Sequence, residues 1–330
     1  MRRHRCNRIL AVGVGMTFLV AATGCESGVP DRPEVPSSGL GCSGRPYAAS
    51  SSWNTPISPT AGTEPMSTAY LNTLTATGHS LTSDVDQYTI ALYCTTPKAP
   101  RRSAQFSGYY SDYLTGVRVG HGQAPLVNDL PLPTGITAPT GTDAQVVIWD
   151  PAAGIEYGFW QFAWNNGKPT ATNGYAIRTD ASSAGRFADG LAGRGAGLPY
   201  LGGLVRPNEI TAGHIDHALA FAYPFPSHEH VFPASKSDGK GIAGHDLPEG
   251  TRLQLDPTLT SADLTKLGVN ASGLVIAKAL QTYGMYVVDN SGSAKVYLQD
   301  RTTAGWNATI NRQTLGKIPW TRFKVVRAPL

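Results

Sequence analysis

Five of the chain's eight histidines fall in one short stretch: His214, His217, His228, His230 and His245. Acids are interleaved with them, at Glu209, Asp216, Glu229, Asp238, Asp246 and Glu249. Histidine changes charge near neutrality, which makes it the usual general acid or base and the commonest metal ligand. Such clustering marks a site without saying which kind. In Gly213-His-Ile-Asp-His-Ala-Leu-Ala-Phe-Ala-Tyr223 the alternation predicts a strand with His217, Leu219, Phe221 and Tyr223 on one face. Ala218, Ala220 and Ala222 occupy the other face, small enough for something to lie close above them. His228, His230 and Phe232 share a face in the same way. A hairpin across Pro224-Phe-Pro-Ser227 would bring the imidazoles together, and Asp216 would orient a neighbouring ring through its second nitrogen. A single histidine among Leu, Phe and Tyr is, however, more often a hydrogen-bonded core residue than a catalyst.

A second signal is aromatic. Glu156-Tyr-Gly-Phe-Trp-Gln-Phe-Ala-Trp164 reads as one strand with Tyr157, Phe159 and Gln161 on one face and Trp160, Phe162 and Trp164 on the other. Indole and phenol rings beside amides suit sugars, whose C–H faces stack while their hydroxyls seek polar partners. A central strand buried on both sides would look the same. A third region, Ala277 to Asp289, puts Leu280 and Tyr283 on one helical face before Gly284, so that Tyr283 could contribute a proton. No HExxH, EF-hand, CxxC, GxSxG or Walker pattern occurs. Gly193-Arg-Gly-Ala-Gly197 follows no strand and is a weak phosphate loop. No cofactor is expected and no metal ligand is assigned, although the His/Asp cluster keeps metal binding open.

The elements that must position these residues are mostly strands. Charged residues make up 15% of the chain, below the roughly 25% of an average soluble domain, and 37 glycines and 24 prolines punctuate it throughout. Gln145–Asp150, a turn at Pro151–Gly154 and a strand from Ile155 to Trp164 form the clearest unit. Further strands are predicted over Tyr88–Cys94, His217–Tyr223, His228–Phe232, Thr251–Leu255, Met285–Asp289, Lys295–Gln299 and Phe323–Arg327. Helices are few: Ser67–Thr77, Pro207–Gly213, Ser261–Leu267, and one capped by Ser272 that runs to Tyr283. The expected fold is mainly β, a jelly-roll-like β-sandwich with a few short helices.

The chain formally carries +4, from 27 Lys and Arg against 23 Asp and Glu. Arg2, Arg3, Arg5 and Arg8 supply the whole excess, and no acid precedes Glu26. A nucleic-acid binder needs its positive charge on the folded surface, so that class is disfavoured. The basic head precedes a 14-residue apolar run, Ile9 to Ala22, short of the roughly 20 residues of a membrane-spanning helix. Ala22-Thr23-Gly24-Cys25 resembles a bacterial lipobox, in which Cys25 would carry the lipid. Residues 1–24 are therefore read as a lipoprotein signal peptide, 25–44 as a flexible tether and 45–330 as a single β-rich domain. The mature protein would stand on the outer face of the cell membrane, held there only through Cys25. Cys6 falls in the discarded head, leaving Cys42 and Cys94 to form one disulfide in an oxidising compartment.

Trp53-Asn-Thr-Pro-Ile57, Trp149-Asp-Pro151, Gly213-His-Ile-Asp-His-Ala-Leu219 and Leu280-Gln-Thr-Tyr-Gly-Met-Tyr-Val-Val-Asp-Asn290 resemble segments of exported bacterial proteins of unassigned function, many of them actinobacterial. The resemblance runs from about Tyr47 to Val326 and implies one domain. It carries over no catalytic residue.

Two classes of function follow. The first is an enzyme acting on extracellular polysaccharide, as a lyase by β-elimination or as a glycoside hydrolase. His217, His230, Tyr283, Gln161 and Asp216 are its candidate catalytic residues, with Glu156 a second carboxyl group for hydrolysis. Trp160, Trp164, Tyr157, His214 and His228 would contact substrate. The second class is a non-catalytic surface lipoprotein that binds glycan or a cell-envelope partner. In either case the protein is expected to be a monomer.

Overall fold

The structure, a computed structural model, describes residues 42–119 and 124–327. The segment read as a signal peptide, the Cys25 expected to carry lipid and the segment read as tether, as far as residue 41, lie outside the described residues. Cys42 is itself buried and forms the disulfide with Cys94 at a Cα separation of 5.5 Å. The folded region thus already includes Cys42, at the end of the segment read as tether. All described residues fall in one compact unit.

The first half of the chain builds an eight-stranded sheet. Its strands are β1 (Ile90–Cys94), β2 (Arg101–Asp112), β3 (Arg118–Val119), β4 (Leu126–Pro131), β5 (Gln145–Asp150), β6 (Ile155–Trp160), β7 (Ala163–Asn165) and β8 (Lys168–Arg178). The order is β1-β5-β6-β8-β2-β3, with β4 on β2 and β7 on β8. β9 (Leu219–Tyr223) is the next strand, and β10 (Ser227–His230) pairs with β11 (Pro248–Glu249) as a separate ribbon. β12 (Arg252–Leu255), β13 (Met285–Asn290), β14 (Lys295–Val296) and β15 (Phe323–Val326) join β9 in a five-stranded sheet of order β14-β9-β13-β12-β15. The expected β-sandwich is the architecture found. Its ladders are mixed rather than antiparallel throughout, since β1/β5, β2/β8, β9/β13 and β10/β11 run parallel.

Four α-helices are found among the described residues: α1 (Ser67–Ala76), α2 (Pro207–Ala212), α3 (Ser261–Lys266) and α4 (Ala271–Thr282). Asn270, not Ser272, caps α4, accepting from the Gly273 amide at 2.9 Å; the Ser272 hydroxyl instead pairs with Thr309. Gly284 turns α4 into β13 with φ +68°, and a Cβ there would meet the Leu253 carbonyl at 2.4 Å, so only glycine fits. No described helix is long and apolar enough to cross a membrane.

Alternation along β9 sorts the core as expected. Leu219, Phe221 and Tyr223 pack with residues of α1, α3 and α4, while Ala218, Ala220 and Ala222 face the core between the two sheets. That core holds Trp53, the largest fully buried side chain, together with Val147 and Trp149 of β5 and Tyr175 and Ile177 of β8. The other face of the large sheet has its own cluster, including Val146, Ile148, Phe159 and Phe162.

One expectation is corrected here. β6 stops at Trp160 because Gln161 takes a left-handed backbone, φ +56°. Its amide leaves the ladder and donates to the Asp143 carbonyl at 2.8 Å. The break shifts the alternation by one residue. Phe162 and Trp164 consequently join Phe159 and Tyr157 on the outer cluster, and Trp160 alone packs against the core between the sheets.

Candidate functional site

Where the start of β5, the end of β6 and the middle of β8 approach the end of β13, the inter-sheet core opens into a polar cleft of about 250 Å³. Gln145, Trp160 and Asn173 line it from the large sheet, and Asp289 and Asn290 from β13. The segment Gly193–Gly195 and a loop carrying Lys236 and Asp238 close its sides. Tyr109 of β2 and Asp143 complete the wall. Burial pushes the Tyr109 phenol up to about 12, so it stays protonated. A second depression of about 440 Å³ shares Asp143 and Asn290 with this cleft, extending the polar surface past Lys295 and Arg312.

The glycine-rich segment serves carboxylates rather than a phosphate. The Gly195 amide donates to Asp289 Oδ1 at 3.2 Å, and Tyr297 donates its hydroxyl to Asp289 Oδ2 at 3.1 Å. Gly195 also makes room for Asp238: a Cβ there would stand 2.4 Å from Asp238 Oδ1. Asp238 accepts from the Asn290 amide at 3.3 Å. Arg194 is buried behind this group, its guanidinium donating to the carbonyls of Tyr200 at 2.7 Å and Gly202 at 2.9 Å.

A third carboxyl group, Glu249 of β11, reaches the same place. Oxygens of Asp238, Glu249 and Asp289 lie within 4.8 Å of one another. Glu249 is fully buried, and no donor meets either of its oxygens with hydrogen-bond geometry; its polar neighbour is Asp238. Burial, then the neighbouring Asp238 carboxyl and the charge of Asp289, push Glu249 up to about 10. Burial and the charge of Asp238 raise Asp289 to about 7, against the pull of Arg194 and its two donors.

The histidines lie elsewhere. His217 is buried beside α2, with Nδ1 2.9 Å from the Ala218 carbonyl and Nε2 2.9 Å from Glu209 Oε1. Arg206 binds the same carboxylate through Nη2 at 2.6 Å and through its backbone amide at 2.8 Å. Burial disfavours the charge of Glu209, but His217 and Arg206 outweigh it and hold the carboxyl down to about 2. The space beside His217 is only about 10 Å³. His214 is exposed, 3.0 Å from Asp216, which is exposed too. His228 is held at Nδ1 by the Gly241 carbonyl at 3.0 Å, and His230 is exposed at the end of β10. His245 pairs with Asp246 at 3.0 Å. The two histidine strands do not form a hairpin: β9 pairs with β13 and β14, and β10 with β11. None of the five lines the cleft.

Of the other sequence candidates, Trp160 lines the cleft. Gln161 sits next to it, its side-chain oxygen accepting from the Thr172 hydroxyl at 2.5 Å. Tyr157 and Trp164 lie against the outer cluster, and Trp164 donates to the Ile136 carbonyl at 2.7 Å. Tyr283, at the end of α4, packs against the inter-sheet core, and its carbonyl accepts from Arg252 Nε at 2.8 Å. Glu156 is fully buried and engaged by Tyr47 at 2.7 Å, Tyr175 at 2.6 Å and the Leu201 amide at 2.9 Å. No local pattern marks Asp143, Asn173 or Lys236, and Asp289 stands in the sequence only as the end of a strand-like segment. Asp238 and Glu249 did stand among the acids interleaved with the histidines. The chain matches no family model, no curated protein and no solved structure.

Proposed function

We propose that this protein is an exported, lipid-tethered protein that binds polysaccharide or cell-envelope glycan in the polar cleft and acts on it there. One observation carries the reading: Trp160 shares a cleft of about 250 Å³ with the amides of Gln145, Asn173 and Asn290. An aromatic face and convergent amides match the C–H and hydroxyl faces of a sugar ring. The polar surface continues past Asp143 into the adjoining depression, giving a chain of several sugars a track to follow. Binding without cleavage is the second reading. It is favoured by the absence of histidine from the cleft lining and by the full engagement of Glu156.

Titrating bacterial and plant glycans against the intrinsic tryptophan fluorescence tests the binding. Trp160→Ala is expected to weaken affinity about tenfold, equivalent to roughly 1.4 kcal/mol, with the melting temperature little changed. If no glycan perturbs the fluorescence, or the substitution leaves affinity intact, the assignment to this cleft fails. Products separate the chemistries: new reducing ends mark hydrolysis, ultraviolet-absorbing unsaturated ends mark elimination, and neither leaves the protein a binder.

A further inference from the structure

We propose that Asp238, Glu249 and Asp289 form a binding site for a hard divalent cation, calcium above all, at the wall of the cleft. Three carboxylates from three separate segments bring oxygens within 4.8 Å of one another. That spacing suits oxygens that share one ion. A repulsive cluster of this kind needs something to hold it, and Glu249 shows what is missing. Its side chain is fully buried, and no donor meets either oxygen with hydrogen-bond geometry; Asp238 is the polar group beside it. A carboxylate taken out of water without a partner is costly, and buried charges are ordinarily paired or bound to metal. Asp238 relieves this only while one of the two carboxyl groups keeps a proton, since two ionised carboxylates cannot hydrogen-bond to each other; a divalent cation would take the place of that proton.

The remaining oxygens are arranged for coordination. Asp289 is oriented by the Gly195 amide and the Tyr297 hydroxyl, one on each oxygen, in the manner of donors that fix a metal ligand. Asp238 is oriented by the Asn290 amide. All the ligand atoms are oxygens, with no imidazole or thiolate among them, which selects calcium or magnesium over zinc or copper. Calcium accepts irregular geometry and carboxylates that bind through one or both oxygens. Asp238 and Asp289 border the cleft, so water can complete the sphere from that side. A bound cation would also turn its open positions towards a saccharide hydroxyl or carboxylate. That last link rests on the glycan reading, whereas the site itself does not.

The test uses the full chain, stripped with a chelator and titrated with terbium, a luminescent stand-in for calcium, then with calcium itself. Tyr297 touches Asp289, so excitation of the aromatic side chains should give saturable terbium emission that calcium displaces. Calcium should also raise the melting temperature. Extracellular calcium modules bind in the range of about 0.1 to 1 mM, so titration to about 10 mM is decisive. Glu249→Gln keeps the shape of the side chain and removes its charge, and it should weaken calcium binding at least about tenfold. Asp238→Asn, at an exposed position, should do the same without risk to the core. No calcium-dependent change in emission or melting, or variants that bind as tightly as the parent, would overturn the site. Trp160→Ala should leave the calcium titration unaltered while weakening glycan binding about tenfold, so the two proposals stand or fall separately.

Discussion

His217 and Glu209 behave as structural residues for a physical reason that applies to charged groups in any core. Glu209 accepts from the backbone amide of Arg206 just before α2, from the Arg206 guanidinium and from His217, so its ionised form is stabilised by neighbours that are themselves buried. Folding holds its carboxyl at about 2, against an ordinary value of 4.5, so the folded state favours the charged form. This contribution is fully present above pH of about 4.5 and is lost as pH falls towards about 2, amounting to about 3 kcal/mol. Denaturant unfolding measured across that range should show the loss. Glu209→Gln should flatten it while lowering stability at neutral pH. A slope unchanged by the substitution would assign the acid sensitivity to other groups. Glu156 offers a contrast: three donors satisfy it, and burial still raises its pKa.

Among the elements, β9 shows how spacing along a strand sets the distance between layers. Its alanine face lets the inter-sheet core, with Trp53 at its centre, approach closely. The Gly203 carbonyl accepts from the Ala220 amide at 3.0 Å, and a Cβ on Gly203 would lie 2.6 Å from the Trp53 ring. Space here is already used up. Ala220→Leu should therefore destabilise the fold by about 3 kcal/mol, the upper end for overpacking, as read from chemical denaturation. A cost below about 0.5 kcal/mol would mean that the sheets part more easily than this packing implies. The break at Gln161 has the opposite lesson. Reading Ile155–Trp164 as one strand put three aromatic residues on one face, yet a single left-handed residue leaves only Trp160 towards the cleft. Nothing local announces it, because glutamine is not a residue that seeks positive φ.

For the molecule as a whole, the Cys42–Cys94 disulfide joins the start of the described fold to the end of β1 across 52 residues. By the chain-entropy argument, closing that loop in the unfolded state contributes about 4 kcal/mol. Cys42→Ser with Cys94→Ser should lower the unfolding free energy by roughly this amount, and reduction of the parent should do the same under denaturant. Equal stability with and without the bond would show that the β-sandwich needs no staple.

Local pattern carried a large part of the fold. Strand-forming runs bounded by turn residues located β5, β6, β9, β12, β13 and β15, and turn and cap residues marked all four helices to within a few positions. The cysteine count singled out the pair that is bonded. Such features depend on neighbours within a few residues, so the chain displays them directly. The cleft depends on distant segments. Its acids meet because β13 lies parallel to β9 while β11 pairs with β10, and a register in space leaves no mark on residue spacing. The histidines illustrate the converse, since adjacency along the chain placed them on separate strands, caps and surfaces. Composition and alternation indicate most of the strands and the burial along them; only the folded path decides where a strand breaks and which buried and exposed acids come together, because their interaction energy depends on distance through space, not along the chain.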